Sequence, residues 1–135
     1  MDKRNISKIV ADKLKEFPLF KDDDVISVDL SLNFEMHIEY IKKKERNIAG
    51  ATYFDICINE NVCYLNKIEL ESEERGKGFG RRLYNIIEDI GKNLWCDRII
   101  MTPSGITFKG EGRRDWVIRN LNYLPRGMFD VEKRI

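Results

Sequence analysis

The stretch IELESEERGKGFGRRL, Ile68 to Leu83, decides the fold. An alternating strand leaves through Ile68 and Leu70 into an acidic turn. Gly76, Gly78 and Gly80 then arrive in quick succession, and an amphipathic helix opens with them. Its apolar positions are Phe79, Leu83, Ile86, Ile87, Ile90 and Leu94, which keep one face of a 3.6-residue period buried. The first-turn N–H groups of any helix lack intrahelical partners, the dipole is positive there, and glycine lets an anion approach the backbone. Arg75, Lys77, Arg81 and Arg82 crowd the same turn. Cations are disfavoured at a helix N-terminus unless an anion is present, so a phosphorylated ligand is expected here.

Two familiar phosphate loops do not fit. A Walker loop needs a glycine five residues before Gly-Lys and a hydroxyl after it, whereas Glu71 and Gly78 hold those places. A dinucleotide fingerprint needs a third glycine where Arg81 stands, and a βαβ unit where the preceding segments read as hairpin-linked strands. The run Arg75-x-x-Gly78-x-Gly80, between a strand and a helix, resembles the acyl-CoA loop of the GNAT N-acetyltransferase superfamily. The likeness continues past the loop. A strand follows at Arg98 to Thr102, a short helix ends in Leu121-Asn122-Tyr123 where the family often has Leu-Gly-Phe, and a last strand closes the chain. The order of elements matches from about Tyr64 to Ile135, and the N-terminal half is compatible.

The resemblance implies an α+β fold spanning residues 1–135 as one domain, with a central, mostly antiparallel β-sheet flanked by helices and splayed at its central strands. It implies acetyl-CoA as cosubstrate. The pyrophosphate would lie on the backbone of Arg75, Gly76, Lys77, Gly78, Phe79, Gly80 and Arg81, and the pantetheine arm along Leu70, Glu71 and Ser72. The activity implied is direct transfer of an acetyl or other acyl group to a primary amine of a small molecule or protein. An alkylammonium is almost wholly protonated at neutral pH, so a proton must leave before attack.

Here the chain departs from the family pattern twice. Ile118 stands where the acid tyrosine usually is, which leaves Tyr123, Ser104 or water to protonate the departing thiolate. The positions nine to eleven residues before the loop arginine, often a glutamate in the family, hold Asn66, Leu65 and Tyr64. Asn66, Glu69 and Tyr123 are therefore the catalytic candidates, with Glu69 and Glu71 able to act through water. The alternative is an acyl-CoA-binding regulatory or interaction module without turnover.

Composition narrows the classes. The chain has 135 residues, 24 basic and 23 acidic, a net charge of +1. That balance gives no reason to expect nucleic-acid or membrane partners. No apolar run approaches the ~18 residues of a spanning helix, and no signal peptide is expected, so a cytoplasmic protein, monomer or homodimer, is anticipated. Three cysteines cannot all pair and form no CxxC, so reduced thiols are expected, although Cys57 and Cys63 could face each other across a hairpin at Asn59-Glu60-Asn61. With one histidine and scattered cysteines, no metal site is expected.

Along the chain, residues 5–17 place Ile6, Ile9, Val10, Leu14 and Phe17 on one helical face, stopped by Pro18. Asp22-Asp23-Asp24 reads as a turn. Alternation predicts strands at Val25–Leu32, Phe34–Tyr40, Ala51–Ile58 and Val62–Glu71, an antiparallel meander. His37 lies on the polar side of the second, as a solvated position or a proton shuttle. Lys42 to Asn47 reads as a basic turn. A helix from about Gly78 to Lys92 follows, then a long loop from Pro103 to Gly112, a helix at Arg113–Asn120 and a strand at Met128–Arg134.

Overall fold

The computed structural model describes residues 3–16, 25–31, 35–44, 47–69, 79–105 and 110–135. The elements run α1 (Lys3–Leu14), β1 (Val25–Leu30), β2 (Glu35–Lys44), β3 (Asn47–Asn59), β4 (Val62–Glu69), α2 (Phe79–Asn93), β5 (Arg98–Met101), α3 (Arg113–Leu121), β6 (Leu124–Arg126) and β7 (Asp130–Arg134). The strands form one sheet in the order β1-β2-β3-β4-β5-β7-β6. Neighbours are antiparallel except β4 and β5, which run parallel with α2 as their crossover. This is the mixed, mostly antiparallel α+β sheet flanked by helices that the sequence implied.

Periodicity explains the packing. In α1, Ile6, Val10 and Leu14 recur every fourth residue and are all but fully buried. In α2, Leu83, Ile87 and Ile90 are fully buried. The sheet answers with alternate residues Met36 and Ile38 of β2, Phe54 and Ile56 of β3, and Cys63 and Leu65 of β4. Burying each aliphatic side chain is worth about 1.5–3 kcal/mol, so these faces hold the helices down. Gly91 lets α2 come close to the sheet. A Cβ there would stand 2.9 Å from Ile135 Cδ1 and 3.5 Å from Cys63 Cβ.

The end of α2 is a Schellman motif: Cys96 N–H donates to Gly91 O at 2.9 Å and Trp95 N–H to Lys92 O at 3.1 Å. Trp95 occupies the left-handed position with φ 65° and is 69% exposed. Asn122 does the same for α3 with φ 63°. That is the place where the family pattern has glycine, and asparagine tolerates the conformation better than most residues.

Four expectations change. Lys42, Lys43 and Lys44 belong to β2 and Asn47 opens β3, so the basic run is mostly ladder, with only positions 45 and 46 between the strands. Hairpin hydrogen bonds are made by backbone, so a strand can outrun its apolar alternation wherever one face is solvated. The C-terminal strand from Met128 resolves into a hairpin: β6, a turn at residues 127–129 with Gly127 at φ 66°, and β7 from Asp130. Pro125 hid β6, yet an edge strand tolerates proline. Cys57 and Cys63 do not face each other. Cys57 pairs with Tyr64 and Ile58 with Cys63, a slip of one residue that sends the two thiols to different surroundings, and both are free. Finally, α1 ends at Leu14, before Phe17 and Pro18, which with Asp22-Asp23-Asp24 lie outside the described residues.

Candidate active site

The site begins where the sheet opens. The parallel pairing of β4 with β5 covers only Val62–Leu65 against Arg98–Met101. Beyond it β4 continues to Glu69, still paired to β3 on its other side. The edge from Asn66 to Glu69 therefore has no β5 partner, and a cleft of about 340 Å³ lies against it, walled opposite by Met101 to Gly105. That volume is at the small end of ligand pockets. Within the cleft, Arg113 Nη1 reaches Ile68 O at 3.5 Å, a side chain standing where a ladder partner would.

A bulge sharpens the opening. Asp55 pairs with Lys67 and Ile56 with Leu65, which leaves Asn66 as an extra residue in β4. Bulges bend a strand and re-aim its side chains, and they concentrate near functional sites. Asn66 is exposed and lines the cleft; Glu69, half-buried, lines it as well. Two of the three sequence-predicted catalytic candidates are thus brought to one wall.

Tyr123 is not brought there. It is 1% exposed and donates its hydroxyl to Glu88 Oε2 at 3.1 Å, while Lys133 Nζ lies 2.8 Å from Glu88 Oε1. Burial, and then the Glu88 charge, push its phenol far above the usual range. Its position is that of a core aromatic. Ser104 lines the cleft.

Of the predicted cofactor contacts, Leu70, Glu71, Ser72, Arg75, Gly76, Lys77 and Gly78 lie outside the described residues. Phe79 and Gly80 open α2, whose first turn holds no acidic residue. Among the described residues, no atom lies within 4 Å of a Cβ added at Gly80. Arg81 is exposed on that turn, 3.4 Å from Asn120 Oδ1 of α3. A helix start near a strand stretch that β5 does not pair suits an extended ligand with an anionic end.

Three groups on the site were not singled out from sequence as cleft residues. Tyr84, on α2, is buried against the cleft, and among the described residues its hydroxyl has no hydrogen-bond partner. Burial raises its phenol, opposed by the Arg113 charge. Its ring lies 6.0 Å from that of Trp116, so α2 and α3 meet beside the opening. A polar-tipped aromatic next to Leu83 was the available signal. Arg113 carried none beyond its charge. His37 is half-buried rather than merely solvated: its Nδ1 is hydrogen-bonded to Asp55 Oδ1 across the β2–β3 ladder, and Tyr53 lies 5.6 Å away.

Among the described strands the sheet is mixed, with one parallel pairing, β4 with β5, beside which it opens. Residues 8–105 match the model of the acetyltransferase (GNAT) family, and the chain belongs to that family. No curated protein sequence matches it. Among solved structures it is similar to PaiA N-acetyltransferase from Thermoplasma acidophilum in complex with coenzyme A, at 15% identity and a TM-score of 0.54. That match covers 75% of this chain but only 61% of the Thermoplasma chain. It is also similar to a Klebsiella pneumoniae protein assigned as an acyl-CoA N-acyltransferase, at 17% identity and a TM-score of 0.57, covering 99% and 91% of the two chains. A third neighbour is the NatC complex bound to Gag peptide and CoA, at 14% identity and a TM-score of 0.53, covering 73% of this chain and 70% of that one.

Proposed function

We propose that this chain is an acetyl-CoA-dependent N-acyltransferase that moves an acetyl or other acyl group directly onto a primary amine of a small molecule or protein. One observation carries the proposal: the β4–β5 pairing stops at Leu65 while β4 runs on to Glu69, and a cleft lined by Tyr84 of α2 opens along that stretch. When bound, acetyl-CoA supplies the activated thioester. The residues present suit it. Backbone groups of β4 beyond its pairing with β5 can pair with the amides of a pantetheine arm, and the first turn of α2, with Arg81, offers donors and positive charge for phosphates.

The glycine run Arg75 to Gly78 and the strand extension Leu70 to Ser72 complete the same surface in this proposal. Asn66 and Glu69 sit at the reaction end, where the bulge turns polar side chains toward the acceptor. Holding an amine against a thioester can by itself supply several kcal/mol of the barrier. Three unpaired thiols suit a reducing cytoplasm. The coenzyme A seen with the Thermoplasma and NatC neighbours supports the choice of cosubstrate.

A second activity class is favoured by one observation. Tyr123, the tyrosine nearest the family's acid in sequence, is committed to Glu88, which suits a binding module that does not turn over. Incubation with acetyl-CoA and a panel of amines, with free thiol monitored, decides. Thiol release that requires an amine is the expected result. Coenzyme A binding without release would replace the enzyme by the module, and absence of binding would overturn both.

A further inference from the structure

A second cavity, of about 560 Å³, adjoins the first. Asn66, the bulged residue of β4, lines both. The rest of its polar wall is Asp29 of β1 and Ser31 just after that strand, Glu35 and His37 of β2, and Asp55 of β3. Asp29 lies opposite His37 in the ladder, and His37 lies opposite Asp55. One row across the sheet thus runs from a carboxylate through an imidazole to a second carboxylate, and ends at Lys67 of β4, the residue that follows the bulged Asn66.

We propose that this cavity is the acceptor pocket, that it takes a small amine carrying a second positive charge, and that His37, held by Asp55, receives the amine's proton. The inference rests on the acyltransferase function proposed above. Two mouths meeting at one bulged residue give donor and acceptor a common wall, as direct transfer requires. Three carboxylates, Asp29, Glu35 and Asp55, around one imidazole make the cavity a place for cations and an unfavourable one for anions.

Asp55 fixes the imidazole. With Nδ1 bonded to its carboxylate, the ring takes the tautomer protonated there, and the basic lone pair is on Nε2. The substrate ammonium gives one proton to Nε2, and the neutral nitrogen attacks the thioester carbonyl carbon. A C–N bond forms as the C–S bond breaks, with its electron pair leaving on sulfur. The second proton lost by nitrogen goes to that sulfur, so an amide, a free thiol and one proton on His37 result. Among the residues whose side chains are described, the charged and titratable groups that face or neighbour His37 are Asp29 of β1, Glu35 of its own strand, Asp55 and Tyr53 of β3, and Lys67 of β4, whose ammonium lies 5.4 Å from the Tyr53 ring.

The test compares two acceptors of equal chain length, 1,4-diaminobutane and 4-aminobutyrate, in the full-length protein with acetyl-CoA. Coenzyme A affinity is measured separately by calorimetry. The diamine is expected to be favoured in kcat/KM by at least tenfold. His37→Gln is expected to keep coenzyme A affinity within about twofold, to lower kcat by about 100-fold or more, and to remove the acid limb of the kcat/KM profile. Added imidazole should restore part of the rate to His37→Ala. Asp55→Asn should lower kcat and displace the same limb. Equal use of the two acceptors, or an unchanged acid limb in His37→Gln, overturns the inference and leaves the acyltransferase function standing. Loss of coenzyme A binding in the unmodified protein overturns that function and the inference with it.

Discussion

Gly80 offers a clean probe of the proposed anion site. An added Cβ meets nothing within 4 Å among the described residues, and a carboxylate in the first turn of a helix is favoured by the dipole. Gly80→Glu should therefore fold normally. It should still lose coenzyme A affinity by about 10–100-fold, the worth of a charged hydrogen bond of ~1.5–3 kcal/mol turned to repulsion. Calorimetry with a melting curve on the same sample checks both halves. Trp95 makes the opposite case. It is exposed in the left-handed position of the α2 C-cap, which disfavours an L side chain by about 1–2 kcal/mol. Trp95→Gly should raise stability by roughly 1 kcal/mol, read as a higher denaturation midpoint. Gly76, Gly78 and Gly80 stood out in the sequence because turn chemistry is local, and of the three Gly80 lies among the described residues. The sequence did not expose His37 with Asp55, since that pair exists only once β2 and β3 are in register.

The joint of α2 with β7 and the segment after α3 shows how elements are tied beneath the sheet. Glu88 of α2 is 7% exposed and holds both Tyr123 and Lys133. Removing the phenol hydroxyl by Tyr123→Phe leaves the carboxylate its ammonium, so a loss of about 1 kcal/mol is expected. Lys133→Met leaves a buried carboxylate without its cation and should cost about 3–5 kcal/mol. If Tyr123→Phe instead abolished turnover while stability held, Tyr123 would return to the reaction. Alternation and helical periodicity made β1 to β4 and α2 readable, because each buries a face that the sequence repeats. β6 was not readable. Leu124-Pro125-Arg126 is a strand only by virtue of lying against β7, and no local pattern encodes that pairing.

Across the whole molecule, four buried groups share one bias. Burial raises the Cys63 and Tyr84 groups, Tyr123 as described, and Cys96 to about 11. In the fold each keeps its proton, while the unfolded chain releases it once pH passes the ordinary values of 9.0 for a thiol and 10.0 for a phenol. The unfolded state then binds fewer protons, so stability is full below pH 9 and falls as pH rises toward and beyond 11. A loss on the order of 2–4 kcal/mol between pH 8 and 10.5 is expected. Urea titrations in reductant should show a lower midpoint with an unchanged slope. At pH 8, half-buried Cys57 should react with a thiol reagent well before the other two.

The parallel junction has a mechanical consequence. Among the described residues, Val62–Leu65 with Arg98–Met101 is the one ladder joining a four-stranded meander to a three-stranded remainder. Anything lodged in the cleft beyond it, between β4 and the residues that follow β5, touches both portions and splices them. Occupancy should then suppress the slow opening of amides on β5 and β7 more than those on β1, and hydrogen exchange would register the seam closing.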